Sequence, residues 1–197
     1  TGDLIVFADV RQVFAPDALD ELMAPFGDAE VGVVTGRLVI AEAHDGVVEG
    51  VRWYWGMETL LRRAEGRTGS VVGATGAIYA IRRSLYTPLP PNLILDDVFL
   101  PMRIAMQRQR VVMAGDAIAL DTPSQCKRVE FQRKRRTMVG NLQLLRVMPE
   151  LLSPSANPIL FRFLSHKVLR LATPFCLMAM LVAAARLPGG FYHTFFL

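Results

Sequence analysis

Hydrophobic and polar positions along the chain switch repeatedly between a period of two and a helical period. Leu4-Ile5-Val6-Phe7-Ala8 is a short apolar run closed by Asp9, which reads as a buried strand. Pro16 to Met23 follows, with proline and carboxylates placed as in the first turn of a helix. Gly32 to Ala41 is rich in β-branched residues and reads as a strand, whereas Val51 to Arg67 sets Trp53, Trp55, Leu60 and Leu61 among charges at helical spacing. Glycine punctuates Ser70 to Ile81 until the pattern returns to strand at Ala77-Ile78-Tyr79-Ala80. After a proline-rich loop from Pro88 to Asn92, Asp96 to Gln109 predicts a helix and Arg110 to Leu120 a strand with a turn at Gly115-Asp116. Arg128 to Val147 predicts a long basic helix. Alternation of this kind predicts an α/β fold with a mixed, mostly parallel sheet covered by helices.

The end of the chain has a different character. Leu171 to Ala185 carries no charged residue and is bounded by Arg170 and Arg186. Spanning a bilayer takes roughly 20 apolar residues, and flanking leucines and snorkelling arginines extend this shorter run. Pro174 falls where a first helical turn tolerates it. Ser153 to His166 adds an amphipathic approach suited to an interface. Basic residues from Lys127 to Lys167 put that side in the cytoplasm, so the chain reads as integral to the cell membrane. Composition agrees, because 52% hydrophobic residues and a mean hydropathy of +0.31 are high for a wholly soluble domain. The opening Thr1-Gly2-Asp3 lacks an initiator methionine and a signal pattern, and the chain stops as a second hydrophobic segment begins after Gly189. Truncation at both ends is therefore expected.

Charge is uneven rather than large. The net charge is +4, yet nine of the 22 basic residues lie between Arg103 and Arg136. Cys126 and Cys176 occupy unlike settings, which argues against a disulfide framework and fits a reducing cytosolic face. His44, His166 and His193 have no metal-ligand spacing, and Ser70, Ser84 and Ser124 have no nucleophile-elbow context. Trp53, Tyr54 and Trp55 read more readily as packing against the sheet than as a sugar-stacking surface.

Three sets of residues carry candidate chemistry. Asp9 ends a strand, where open α/β sheets bind ligands, although a turn or cap aspartate also sits there. Asp96-Asp97 opens a helix, and capping uses one of the pair, leaving the other to act as a base. In the basic helix, Gln132, Arg135 and Arg136 share one face while Arg133 and Lys134 turn away. Guanidinium groups bind phosphate oxygens through paired hydrogen bonds, and a solvated or headgroup-facing charge run is the plainer alternative.

Taken in order, Val6-Phe7-Ala8-Asp9-Val10-Arg11, the glycine-rich Gly73 to Arg83 segment, Asp96-Asp97 and Gln132-Arg133-Lys134-Arg135-Arg136 resemble glycosyltransferase family 2. The resemblance is strongest to its membrane-embedded branch, which includes cellulose and hyaluronan synthases, and it covers nearly the whole chain. It implies a GT-A type catalytic domain lacking its N-terminal part at residues 1–148, an interfacial segment at 149–167 and a truncated transmembrane region at 168–197. It further implies that Asp9 matches the first aspartate of the D-x-D motif, which helps hold a divalent Mg2+ or Mn2+ ion on the nucleotide diphosphate. Arg11 stands where the motif has its second aspartate, so Arg11 itself is a candidate for facing the phosphates. Asp97 matches the general base, with Asp96 as its acidic neighbour. Gln132, Arg133 and Arg135 match the Q-x-x-R-W motif over the donor diphosphate, with Arg136 in the place of its tryptophan. Thr75-Gly76-Ala77 corresponds to the loop beside the acceptor pocket.

The function implied is inverting transfer of a sugar from a nucleotide diphosphate-sugar to a saccharide or lipid-linked acceptor at the cytoplasmic membrane face. Membrane lipids are expected partners and nucleic acid is not. The competing reading is a membrane-anchored module that binds anionic lipid or nucleic acid through the basic helix without catalysis. The family's base- and ribose-binding motifs would precede Thr1, so residues 1–197 in isolation are expected to be inactive. Detectable sugar transfer by that stretch alone, from a labelled nucleotide-sugar, would contradict this expectation.

Overall fold

The computed structural model describes residues 2–40, 57, 60–62, 64–66, 69–121 and 127–186. His44, Trp53, Tyr54, Trp55, Ser124, Cys126, His193 and the segment after Gly189 lie outside the described residues. The chain forms two compact units, Thr1–Leu160 and Phe161–Leu197.

In the first unit, five strands form one sheet: β1 (Leu4–Ala8), β2 (Val13–Phe14), β3 (Val31–Ile40), β4 (Ile78–Arg82) and β5 (Arg110–Asp121). Their spatial order is β1-β4-β3-β5-β2. The expectation of a mostly parallel sheet is corrected here. β3 and β5 run parallel, but β1 with β4, β3 with β4, and β2 with β5 are antiparallel. β4 enters the sheet between β1 and β3 and runs antiparallel to both. β1 is also not buried as expected. It lies at the sheet edge, with Val6 and Ala8 exposed, because β4 is its strand neighbour.

The Gly115-Asp116 pair does not turn the chain. β5 continues through it, and the register against β3 slips from Thr35↔Met113 to Arg37↔Ile118. The extra residues are absorbed as a bulge, a device that bends a strand without ending it. Gly36 lies inside that irregularity. A Cβ there would come within 2.5 Å of the Ala117 carbonyl oxygen and 2.6 Å of Ile78 Cγ2, so the two strands approach too closely for any side chain.

Helices cover the sheet. α1 (Ala18–Met23) buries Ala18 and Leu22 in a cluster with Phe26, Val31, Val34, Ile78, Ala80, Ala117 and Ala119. α2 (Asp96–Met106) packs on β3 and β5 and buries Val98, Leu100, Met102 and Ile104. It ends three residues sooner than the apolar pattern extends, where Arg108 takes a left-handed φ of 64°. Residues 60–62 and 64–66 are helical, in keeping with the periodicity of that segment. α3 (Lys127–Val147) is the long basic helix. Ser70, set aside as a nucleophile, accepts the Val111 N–H through Oγ at 2.9 Å and so fastens the glycine-rich segment to β5.

α4 (Leu160–Phe163) leads through a π-helical turn at Leu164–Val168 into α5 (Leu169–Arg186). The resulting run Leu160–Ala184 is the one helix among the described residues long and apolar enough to cross a membrane. Phe175, Leu177, Met178, Met180, Leu181 and Val182 are all at least half exposed along it. Pro174 is inside α5 and not in its first turn, because the helix starts earlier than the uncharged stretch.

Replacing Gly36 with alanine is expected to cost about 1–3 kcal/mol, as overpacking of a tight interior does. Thermal denaturation of the Gly36→Ala protein should show a Tm several degrees lower, and an unchanged Tm would mean that the strands can part at the bulge.

Candidate active site

One end of the sheet gathers the acidic residues. β1 stops at Ala8, and Asp9 donates its backbone N–H to the Ala77 carbonyl at 3.4 Å. Arg11 Nε donates to Asp9 Oδ2 at 3.1 Å, and Arg11 Nη2 lies 3.8 Å from Asp121 Oδ2. Asp9 and Arg11 are each nearly half exposed, while Asp121 is mostly covered.

The loop Thr75-Gly76-Ala77 lies beside Asp9 and is held from below. The Thr75 N–H donates to Oγ1 of the fully buried Thr35 at 2.9 Å. Gly73 takes a left-handed φ of 80°, a conformation that favours glycine, and the next residue, Ala74, donates its N–H to the Asp97 carbonyl at 2.7 Å. A Cβ on Gly76 would lie 3.4 Å from Asp97 Oδ2, so this exposed glycine runs alongside the carboxyl group. Ala77 is different. Its side chain belongs to the core, which leaves Thr75 and Gly76 as the accessible part of the loop.

Asp96 and Asp97 stand in the first turn of α2, where the helix dipole favours negative charge. Neither occupies the N-cap, which is Leu95 without a side-chain cap bond, so helix capping does not consume one of them as expected. Asp96 is engaged instead by Tyr79, whose hydroxyl donates to Asp96 Oδ2 at 3.1 Å. Phe7 stacks on the Tyr79 ring at 4.6 Å between centroids. Burial, and then the charge of Asp96, hold the Tyr79 hydroxyl protonated far above the usual tyrosine range, with Asp97 and Tyr86 adding to the effect. Asp96 thus holds the phenol directly, while Asp97 runs alongside Gly76.

The basic helix α3 docks close by. A Cβ on Gly140 would come within 2.6 Å of Leu95 Cγ and 3.0 Å of Ile94 Cγ2, so the helix touches the segment just before Asp96. Gln143 clamps the same segment, accepting the Ile94 N–H at 3.0 Å and donating to the Asn92 carbonyl at 2.9 Å. With a rise of about 1.5 Å per residue, Arg136 lies ~6 Å and Gln132 ~12 Å along the helix from that contact. Orientation differs from the expectation. Arg133 is half-buried and shares a stripe with Thr137, Gly140 and Leu144, whereas Gln132, Lys134, Arg135 and Arg136 are exposed. Arg133 therefore turns toward the docked face, because Gly140 and Leu144 decide which side of α3 lies inward.

The fit of a divalent metal follows from the donor set. Mg2+ and related hard cations need several oxygen ligands. Asp9 offers a carboxylate already paired with the Arg11 guanidinium, and no group of three acidic, histidine or cysteine side chains able to hold a metal exists among the described residues. Among the described residues, Asp9 and Arg11 do not by themselves make a metal site. A cavity of about 660 Å³ lies elsewhere, lined by Pro25, Asp28, Val31, Arg110 and Asp116, and shares no residue with the acidic cluster.

Four residues near the cluster escaped sequence reasoning: Tyr79, Thr35, Gly140 and Gln143. Gly140 left a signal, since a glycine inside a helical pattern marks close packing. The partners of Tyr79 and Thr35 are set by strand register and leave none.

No family model and no curated protein matches the chain. Among solved structures it is similar to the mannosyltransferase of Pyrobaculum calidifontis in complex with GDP-mannose and Mn2+. The TM-score is 0.74 at 21% identity, over 99% of this chain and 54% of that one. The chain thus shares the mixed α/β fold of a glycosyltransferase and spans about half the length of that structure.

Removing the Tyr79 hydroxyl leaves Asp96 without its phenolic donor, so Tyr79→Phe is expected to lose about 1–3 kcal/mol near neutral pH. The raised hydroxyl also makes a pH signature. The folded state keeps a proton that the unfolded chain releases above pH ~10, so this contribution is constant below that pH and falls above it. Melting curves from pH 7 to 11 should show a shallower alkaline decline for Tyr79→Phe than for the wild type; equal slopes would contradict the assignment.

Proposed function

We propose that this chain is part of an inverting glycosyltransferase of family 2, in its membrane-embedded branch, which moves a sugar from a nucleotide diphosphate to an acceptor hydroxyl. The observation that carries the reading is the convergence of Asp97, the Thr75-Gly76 loop and Asp9 at one sheet end, in a fold shared with a mannosyltransferase. That mannosyltransferase was solved with GDP-mannose, which supports a nucleotide diphosphate-sugar as donor.

The chemistry assigned to each residue follows from its place. Asp97 takes the proton from the acceptor hydroxyl, whose oxygen attacks the anomeric carbon on the face opposite the departing diphosphate. The bond to the diphosphate oxygen breaks as the new glycosidic bond forms, which inverts that carbon. Asp96 holds Tyr79 and thereby steadies the first turn of α2. Thr75 and Gly76 form the wall along which the acceptor approaches, with no Cβ at Gly76 to obstruct Asp97. Of Gln132, Arg133, Arg135 and Arg136, which do not all share one face of α3, those turned to the cleft meet the negative charge that develops on the leaving diphosphate.

α5 supports membrane attachment, since a helix apolar on all sides and not buried in the protein calls for lipid. Under this reading residues 1–148 are catalytic, 149–167 lie at the interface and 168–197 enter the membrane, with the catalytic part cytoplasmic. The acceptor is a saccharide or a lipid-linked sugar. The exposed basic helix, which also presents Phe131, Val139 and Leu142, favours one alternative, an anionic-lipid binding module without catalysis.

Transfer from a panel of radiolabelled nucleotide-sugars by the full-length protein in membranes tests the reading. Asp97→Asn is expected to lower turnover by about 10²–10⁴-fold, the usual contribution of a general base, with donor binding retained. Turnover within about twofold of wild type, or no transfer from any donor beside intact lipid binding, would favour the alternative.

A further inference from the structure

We infer that Arg11 takes the place of a metal ion at the donor diphosphate, so that this protein binds nucleotide diphosphates without a divalent cation. The inference rests on the glycosyltransferase reading and narrows it. Where the family pattern has a second carboxylate, this chain has a guanidinium, and the structure shows what that guanidinium does. Its Nε donates to Asp9 Oδ2 at 3.1 Å and its Nη2 lies 3.8 Å from Asp121 Oδ2. Arg11 is thus gripped from the ends of β1 and β5 by two carboxylates.

Charge decides the consequence. A divalent ion at Asp9 would share its carboxylate with the guanidinium of Arg11, which already touches it. Like charges at such distances repel, whereas the diphosphate of a donor is attracted to the same guanidinium. A guanidinium has five N–H donors arranged to meet paired phosphate oxygens, and Asp9 engages Nε. Arg11 is nearly half exposed, so phosphate oxygens can reach the remainder without unfolding the turn. In this arrangement Asp9 is a positioning residue. Its carboxylate orients the guanidinium and is not a metal ligand.

The test is equilibrium binding of GDP and of UDP to the full-length protein, with EDTA or with Mn2+, alongside solution EPR of added Mn2+. Wild type should bind the nucleotide within about twofold in either condition and leave the Mn2+ signal that of the free ion. Arg11→Ala should weaken binding at least about tenfold, or ~1.4 kcal/mol, and Arg11→Lys should recover part of that loss. Arg11→Asp, which restores the second carboxylate, should bind poorly in EDTA, improve with Mn2+ and quench the free Mn2+ signal. Wild-type binding that collapses in EDTA and returns with Mn2+ overturns the inference but leaves sugar transfer standing. So does an Arg11→Ala protein that binds like wild type. No binding of either nucleotide under any condition overturns both readings.

Discussion

The antiparallel pairing of β1 with β4 is the constraint from which the site follows. Phe7 falls opposite Tyr79, their rings stack, and the next residues carry Asp9 to the Ala77 carbonyl. The same register holds the Tyr79 hydroxyl against Asp96 at the first turn of α2. A slip by one residue would send Tyr79 to the other face of the sheet and part the strand end from the helix end. Hydrophobic packing drives the pairing, and the polar geometry is its by-product.

Close approach is the second requirement. The loop before β4 must pass beside a carboxyl group, and the basic helix must lie against Leu95. Gly76 and Gly140 permit these contacts by having no side chain, while Gly73 supplies a backbone turn through left-handed φ. Thr35 and Gln143 then satisfy the backbone N–H groups of Thr75 and Ile94 in these tight segments. Cations and carboxylates are brought near one another by glycine and by amide hydrogen bonds, more than by their own attraction. Attraction between exposed charges is weak, as for the half-exposed Asp9–Arg11 pair, which orients groups without holding the fold together.

Much of this was readable beforehand. The strands at Leu4–Ala8 and Val31–Ile40, the helix opening at Asp96 and the long basic helix all follow from periodicity, because side-chain burial imposes a period of two or of 3.6 wherever one face meets a core. The parallel sheet and the turn at Gly115-Asp116 were misread for one reason. Direction and register depend on which strands become neighbours, and β4 enters between β1 and β3 while β5 bulges past Gly36. The use of a capping aspartate was misread similarly, since Tyr79 claims Asp96 from a strand 17 residues away.

By itself, then, the amino-acid order determined the elements, the membrane-suited helix at the end and the residue types with phosphate and proton-transfer chemistry, because these depend on local pattern and composition. Tertiary structure alone decided that Arg11 spans Asp9 and Asp121, that Arg133 and not Lys134 lies on the docked side of α3, and that Tyr79 bonds Asp96. Those are contacts between segments far apart in the chain, and their geometry is set by strand register and helix docking, which no local pattern encodes.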